Sequence, residues 1–111
     1  MEPVTLTQLQ HKVGAYIGQY EEGYFPPFEM LARLAEELGE LSREVQHVYG
    51  HVKKKQVDHN NIEKELGDLF FTLICFANAQ GIRLEDALHQ VLHKFETRDK
   101  DRWTRKEERH D

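Results

Sequence analysis

Leu6, Leu9, Val13, Ile17 and Tyr20 recur at helical spacing, and Thr5 with Gln8 has the form of a capping box. The pattern predicts a first helix over about Thr5 to Tyr20. The stretch "EEGYFPPF" then breaks it, because Gly23 and the prolines Pro26 and Pro27 forbid continuation. Pro27 suits the first turn of a second helix, whose apolar stripe includes Leu34, Leu38, Leu41 and Val45 and which Gly50 is expected to end as a left-handed stop. "HVKKKQVDH" is too polar for a core and is expected to be a solvated connector. Asn60 with Glu63 opens a third helix, again in capping-box form, and Gly81 closes it. A fourth begins near Leu84 and gathers Leu88, Val91, Leu92 and Phe95 on one face. Its end dissolves into "RDKDRWTRKEERHD", and a frayed charged tail is expected over 103–111. No segment alternates as a strand does. The fold class is all-α, a four-helix bundle-like single domain over residues 1–111.

The third helix departs from simple amphipathicity. From Leu69 to Ala79 it is apolar on all sides, so every side needs cover. Three other helices of one protomer can hardly supply it and a partner chain can. A homo-oligomer, dimer or tetramer, is therefore expected.

Composition narrows the function more than the fold. The 111 residues suffice for one domain, and 39% hydrophobic with 32% charged residues suits a soluble helical protein. A net charge of -5 argues against general nucleic-acid binding, which needs a basic surface. The apolar run from Leu69 to Ala79 falls short of the ~20 residues that span a bilayer, and the opening residues lack the pattern of a signal peptide. No membrane partner and a cytoplasmic location are expected. Cys75, the single cysteine, has no internal disulfide partner and is expected to be a buried thiol. An acidic protein that handles phosphate esters would need metal ions to bring the charges together.

The candidate chemistry lies in a repeated word. "EELGEL" at 36–41 and "ELGDL" at 65–69 each place carboxylates three apart beside apolar residues: Glu37 with Glu40, and Glu65 with Asp68. Side chains three apart lie roughly 60° apart around a helix, so each pair projects together at the edge of the core face. Both words carry a helix-interior glycine, Gly39 and Gly67, each costing about 1 kcal/mol relative to alanine. If the second and third helices pack antiparallel, the pairs face each other, and each glycine would let a backbone or ligand approach. Four carboxylates so gathered repel unless protons or cations neutralise them. All-oxygen donors suit a hard divalent cation, and Mg²⁺ keeps waters that substrate phosphates can replace. A lone ExxE is ordinarily a solvated face. Two copies with one inner word, each against an apolar stripe, favour a site.

"EELGE", then 24 residues, then "ELGD" resembles the EExxE…ExxD signature of the all-α nucleotide pyrophosphohydrolases, specifically the MazG-like family. The resemblance runs from "LARLAEELGELSREV" through "KELGDLFFTLICFAN" to "GIRLEDALHQVLHKFETRDKDRW". It implies Mg²⁺-dependent hydrolysis of nucleoside triphosphates between the α and β phosphates, with Mn²⁺ a possible substitute, and a role in cleaning the nucleotide pool. By motif position it implies Glu37, Glu40, Glu65 and Asp68 as metal ligands and Glu36 as the group that orients water or supports the ligands. The family's basic motif on a later helix is matched by Lys94 and Arg98. Arg83 stands where many relatives have a small polar helix cap.

Other residues keep alternatives open. Arg98 and Arg102 continue the face of Leu88, Val91 and Phe95, so with Lys94 they would grip phosphates, although a frayed end shows charge anywhere. Tyr24 and Phe25, in the loop that leads to the acidic helix, either pack that loop on the core or stack on a base. His47 with His51 and His89 with His93 have i,i+4 spacing, but the absence of cysteine ligands favours exposure over zinc. Glu44-x-x-His47, with Asp86-x-x-His89 as a weaker copy, has the form used by di-iron carboxylate bundles. That reading leaves the doubled acidic word without a purpose. A non-enzymatic helical interaction module explains the apolar third helix but not the acids.

Overall fold

The computed structural model describes residues 2–50 and 60–106, in which four helices form: α1 (Leu6–Ile17), α2 (Pro27–Tyr49), α3 (Asn60–Ala79) and α4 (Leu84–Thr97). There is no strand among the described residues. The expected polar connector, the Asn60 side-chain cap and the last five residues of the expected frayed tail lie outside them.

Local chemistry sets each helix end. The Thr5 hydroxyl accepts from Gln8 N at 3.0 Å while Thr5 N donates to Gln8 Oε1 at 2.7 Å, closing the predicted capping box. The α-helix stops at Ile17 rather than Tyr20, because Gln19 N and Tyr20 N bond three residues back, to Tyr16 O and Ile17 O, in a tightened turn. Pro27 opens α2 as expected. Gly50 ends it differently from the expectation: its backbone is extended (φ -89°, ψ -175°), not left-handed. Glycine is needed there for closeness, since a Cβ would come within 2.6 Å of the Gln46 carbonyl oxygen. Gly81 is left-handed (φ 70°), and Ile82 N reaches back to Ala77 O at 2.9 Å to seal the end of α3.

Helices α2 and α3 make the main packing and run antiparallel, as the pairing of Glu44 with Asn61 and the nearness of Glu37 to Asp68 require. Helix α1 lies along α3, with Tyr16 edge-on to Phe71 at 6.2 Å, and α4 touches mainly α1. Among the described residues the buried apolar side chains are few: Met30, Ile74, Cys75 and Ala77. Beside them sits a polar knot. Gln10, only 5% exposed, donates to Asn78 Oδ1 at 2.9 Å and Ile82 O at 3.0 Å and accepts from Leu84 N at 2.8 Å. Asn78 in turn donates to Gln10 O and to the Tyr24 hydroxyl, both at 3.0 Å. Arg83 makes no side-chain cap for α4. Gln10 on α1 supplies the missing acceptor from 74 residues away in sequence.

Much of the apolar surface remains open. Leu66, Phe70 and Leu73 on α3, and Leu88, Val91, Leu92 and Phe95 on α4, are each between 38% and 53% exposed. Gly67 lies in an apolar groove with Leu66, Leu69, Phe70 and Leu73. Contrary to the expectation of close approach, a Cβ built on Gly39 or Gly67 meets nothing within 4 Å in this chain.

Leaving a buried donor or acceptor unsatisfied costs about 1–3 kcal/mol. Gln10→Ala would strand at least the Leu84 amide and the Asn78 carboxamide, so chemical denaturation should show a loss of about 2–4 kcal/mol. Gln10→Glu, which still accepts from Leu84 but cannot donate to Ile82, should fall between the two. A loss below about 0.5 kcal/mol for alanine would mean that water replaces the knot without penalty.

Candidate active site

The antiparallel register brings the two acidic words face to face. One ligand oxygen from each of Glu37, Glu65 and Asp68 falls within 4.8 Å of the other two. Glu40 stands alongside, within hydrogen-bonding reach of Glu65. Glu36 is exposed and reaches this group only through its charge on its neighbour Glu37. Both Glu37 Oε2 and Glu65 Oε2 are shut off from water and have no hydrogen-bond partner. Buried polar atoms in folded proteins are ordinarily paired, so two orphaned carboxylate oxygens at one spot point to an absent positive partner.

The electrostatics agree with the geometry. Burial, then the charges of Glu40, Asp68 and Glu36, push the Glu37 carboxyl above its ordinary value, against a smaller opposing pull from Arg33. Burial likewise leads in raising Glu65, followed by the charges of Glu40 and Asp68 and the hydrogen bond with Glu40, with Lys64 opposing. A group of all-oxygen donors with two unpartnered anionic atoms fits a hard divalent cation such as Mg²⁺.

A cleft of about 370 Å³ leads from the acids between α2, α3 and the aromatic loop. Glu37 and Asp68 lie at one end and Met30, Ile17 and Cys75 at the other, with Tyr24, Phe25, Phe71, Thr72 and Arg33 along the walls. This is within the size range of small-molecule sites, about 300–1,000 Å³. Tyr24 is held by its bond from Asn78, and Phe25 lies under the Arg33 guanidinium at 4.8 Å. Both aromatic candidates therefore line the cleft. Burial raises the pKa of the Cys75 thiol, which keeps it protonated and apolar in the cleft floor.

The three basic candidates do not line this cleft. Lys94 lies over Phe95 at 5.1 Å, Arg98 Nε is 3.6 Å from Asp99 Oδ1, and Arg102 lies over Trp103 at 5.7 Å. The cation on the cleft is Arg33, which sequence reasoning passed over. Its signal was present, since Arg33 precedes Glu37 by one helical turn and so shares its face. Thr72, Met30 and Asn78 were also missed, because nothing in their type distinguishes them from core or helix surface.

The ExxH candidates part company with the acidic group. Glu44 Oε1 lies 3.8 Å from His47 Nδ1, and Glu44 Oε2 accepts from Asn61 at 3.4 Å. Asp86 pairs with Arg83 at 3.3 Å, and His89 is exposed. Among the described residues the one group able to hold a metal ion is Glu37, Glu65 and Asp68. His51 lies outside them.

Among the described residues, an all-α fold thus sets facing ExxE and ExxD words at one end of an aromatic cleft. The model of the MazG nucleotide pyrophosphohydrolase domain matches residues 25–103, and the chain belongs to that family. It is 56% identical over 109 residues to the uncharacterized protein YpjD of Bacillus subtilis (strain 168), covering 97% of this chain and 98% of that one. The crystal structure of B. subtilis YpjD superposes with a TM-score of 0.82 at 51% identity, covering 87% of this chain and all of that one. A Bacillus-conserved MazG protein, a nucleotide pyrophosphohydrolase, superposes with a TM-score of 0.79 at 52% identity, covering 91% of this chain and 99% of that one.

The raised carboxyls carry a sign that can be checked. The folded chain holds protons at Glu37 and Glu65 that the unfolded chain releases near the ordinary value of 4.5. Stability from this source is therefore full below that value and is lost as pH rises through the raised folded values. In a chelator, Glu65→Gln should melt above the wild type at about pH 7.5, and the gap should narrow as the pH falls toward about 4.5. A gap that widened in acid would reverse the assignment.

Proposed function

We propose that the protein hydrolyses nucleoside triphosphates between the α and β phosphates, releasing a nucleoside monophosphate and pyrophosphate. The observation that carries this reading is the pair of orphaned, buried carboxylate oxygens of Glu37 and Glu65 at the mouth of a nucleoside-sized cleft. Glu37, Glu65 and Asp68, with Glu40 beside them, would hold Mg²⁺, or Mn²⁺ in its place. A cation so held polarises phosphate oxygens and lowers the pKa of a coordinated water. The chain's own part is to gather the anions, place the nucleoside along Tyr24 and Phe71, and keep bulk water from the apolar end of the cleft. Glu40, within reach of Glu65, would complete the ligand set, and Glu36, beside Glu37 on α2, would orient the attacking water or support the ligands. Selection of nucleotides in the cytoplasm, and so cleaning of the nucleotide pool, is the role this chemistry suits.

The protein works as a homo-oligomer in this reading. The outer faces of α3 and α4 leave Leu66, Phe70, Leu88 and Phe95 each more than two-fifths exposed, and a second copy would cover them. The di-iron reading loses support because Glu44 and His47 stand apart from the acidic trio. A purely structural helical module leaves the orphaned oxygens without a purpose.

Incubation with a panel of ribo- and deoxyribonucleoside triphosphates should yield monophosphate and pyrophosphate, and a chelator should stop it. Diphosphate plus orthophosphate would move the attack to another phosphorus. Asp68→Asn should lower kcat by a factor of about 100 or more, since it removes a charged ligand, with melting unchanged or higher. Light scattering behind size-exclusion chromatography should give a dimer or tetramer. Phe70→Glu, at an open position of α3, should shift it toward smaller species. A wild-type monomer at micromolar concentration would overturn the oligomer.

A further inference from the structure

We infer that Arg33, with its guanidinium set by Phe25, binds the phosphate next to the nucleoside and so takes the role that sequence reasoning gave to Lys94, Arg98 and Arg102. The inference rests on the triphosphate-hydrolase reading of the same cleft. Three observations lead to it. Arg33 lines the cleft, and Lys94, Arg98 and Arg102 do not. It sits between the cleft's two ends along α2, one turn from Met30 at the apolar end and one turn from Glu37 at the acidic end. Finally, its guanidinium lies over the Phe25 ring at 4.8 Å although Glu29, Glu36 and Glu37 are all within one helical turn in sequence.

Stacking is what makes the residue available. A guanidinium laid on an aromatic face is held in orientation while its in-plane N–H groups stay free for oxygen pairs. Those donors match phosphate in a bidentate fork, which an ammonium cannot reproduce. A nucleoside lying along Tyr24 and Phe71 with its phosphate at Glu37 and Asp68 must pass Arg33 at the junction. That junction is the phosphate attached to the sugar, the one retained in the monophosphate product. Phe25 is then a positioning residue, acting through Arg33, and its role as a base-stacking surface passes to Tyr24 and Phe71.

The test uses the triphosphate that the wild type hydrolyses fastest, together with its own monophosphate and free nucleoside as inhibitors and as ligands in calorimetry. Arg33→Ala should weaken monophosphate binding about tenfold or more and leave nucleoside binding within about twofold. Arg33→Lys should recover part of the monophosphate affinity through charge. Phe25→Leu, which removes the ring but not the cation, should weaken the monophosphate less than Arg33→Ala does. Parallel loss of nucleoside and monophosphate in Arg33→Ala would make Arg33 a brace for the cleft wall and overturn the assignment. Unchanged binding of both would make it a solvated surface cation and overturn it equally. A wild type that hydrolyses no triphosphate would bring down the hydrolase reading first, which keeps the two failures distinct.

Discussion

The whole arrangement depends on mutual repulsion held in check. Four carboxylates from α2 and α3 converge where water is partly excluded, and the charges of Glu40 and Asp68 raise the proton affinity of Glu37 and Glu65. No lysine or arginine forms a salt bridge with Glu37, Glu65 or Asp68 among the described residues. Apolar packing between the same two helices and the polar knot of Gln10 and Asn78 oppose the repulsion. Arg33 and Lys64 offset only part of that repulsion, and a bound divalent cation, as proposed, would relieve the rest.

That tension explains why the fold looks spare. Among the described residues only four apolar side chains are buried, and no large one disappears entirely from solvent. A protomer with so thin a core has little with which to offset a crowded acidic cleft. Covering the outer faces of α3 and α4 with a second copy would add the missing apolar burial. If the proposed second copy covers them, oligomer and site would be parts of one balance rather than separate properties.

How much of this was legible in the sequence follows from which interactions are local. Helical period, the Thr5 capping box, Pro27 at the start of α2 and Gly81 after α3 are short-range signals, and each appears where the sequence placed it. The facing of Glu37 and Asp68 was legible because one inner word occurs twice and antiparallel packing aligns the copies. Gly50 was misread because glycine serves two steric needs, and here the need is room beside the Gln46 carbonyl rather than a positive φ. Gln10 as the cap of α4 could not be read at all, since its partners lie 68 to 74 residues away and a glutamine in a helix has no special signature. The basic stripe of α4 was read from periodicity, which gives a face but not what that face meets. Arg33 was overlooked for the opposite reason: next to so many glutamates it resembles an ordinary ion-pairing surface residue.

The most direct measurement is a melting curve at rising Mg²⁺ concentration for the wild type and for Glu37→Gln. A cation that binds the folded chain and not the unfolded one stabilises by mass action, about 2.7 kcal/mol at a hundred times its dissociation constant. The wild type should therefore gain melting temperature steadily with Mg²⁺, and Glu37→Gln, already relieved of repulsion, should start higher and gain little. Equal gains in both would place the ion elsewhere, and no gain in the wild type would contradict a cation site between the two acidic helices.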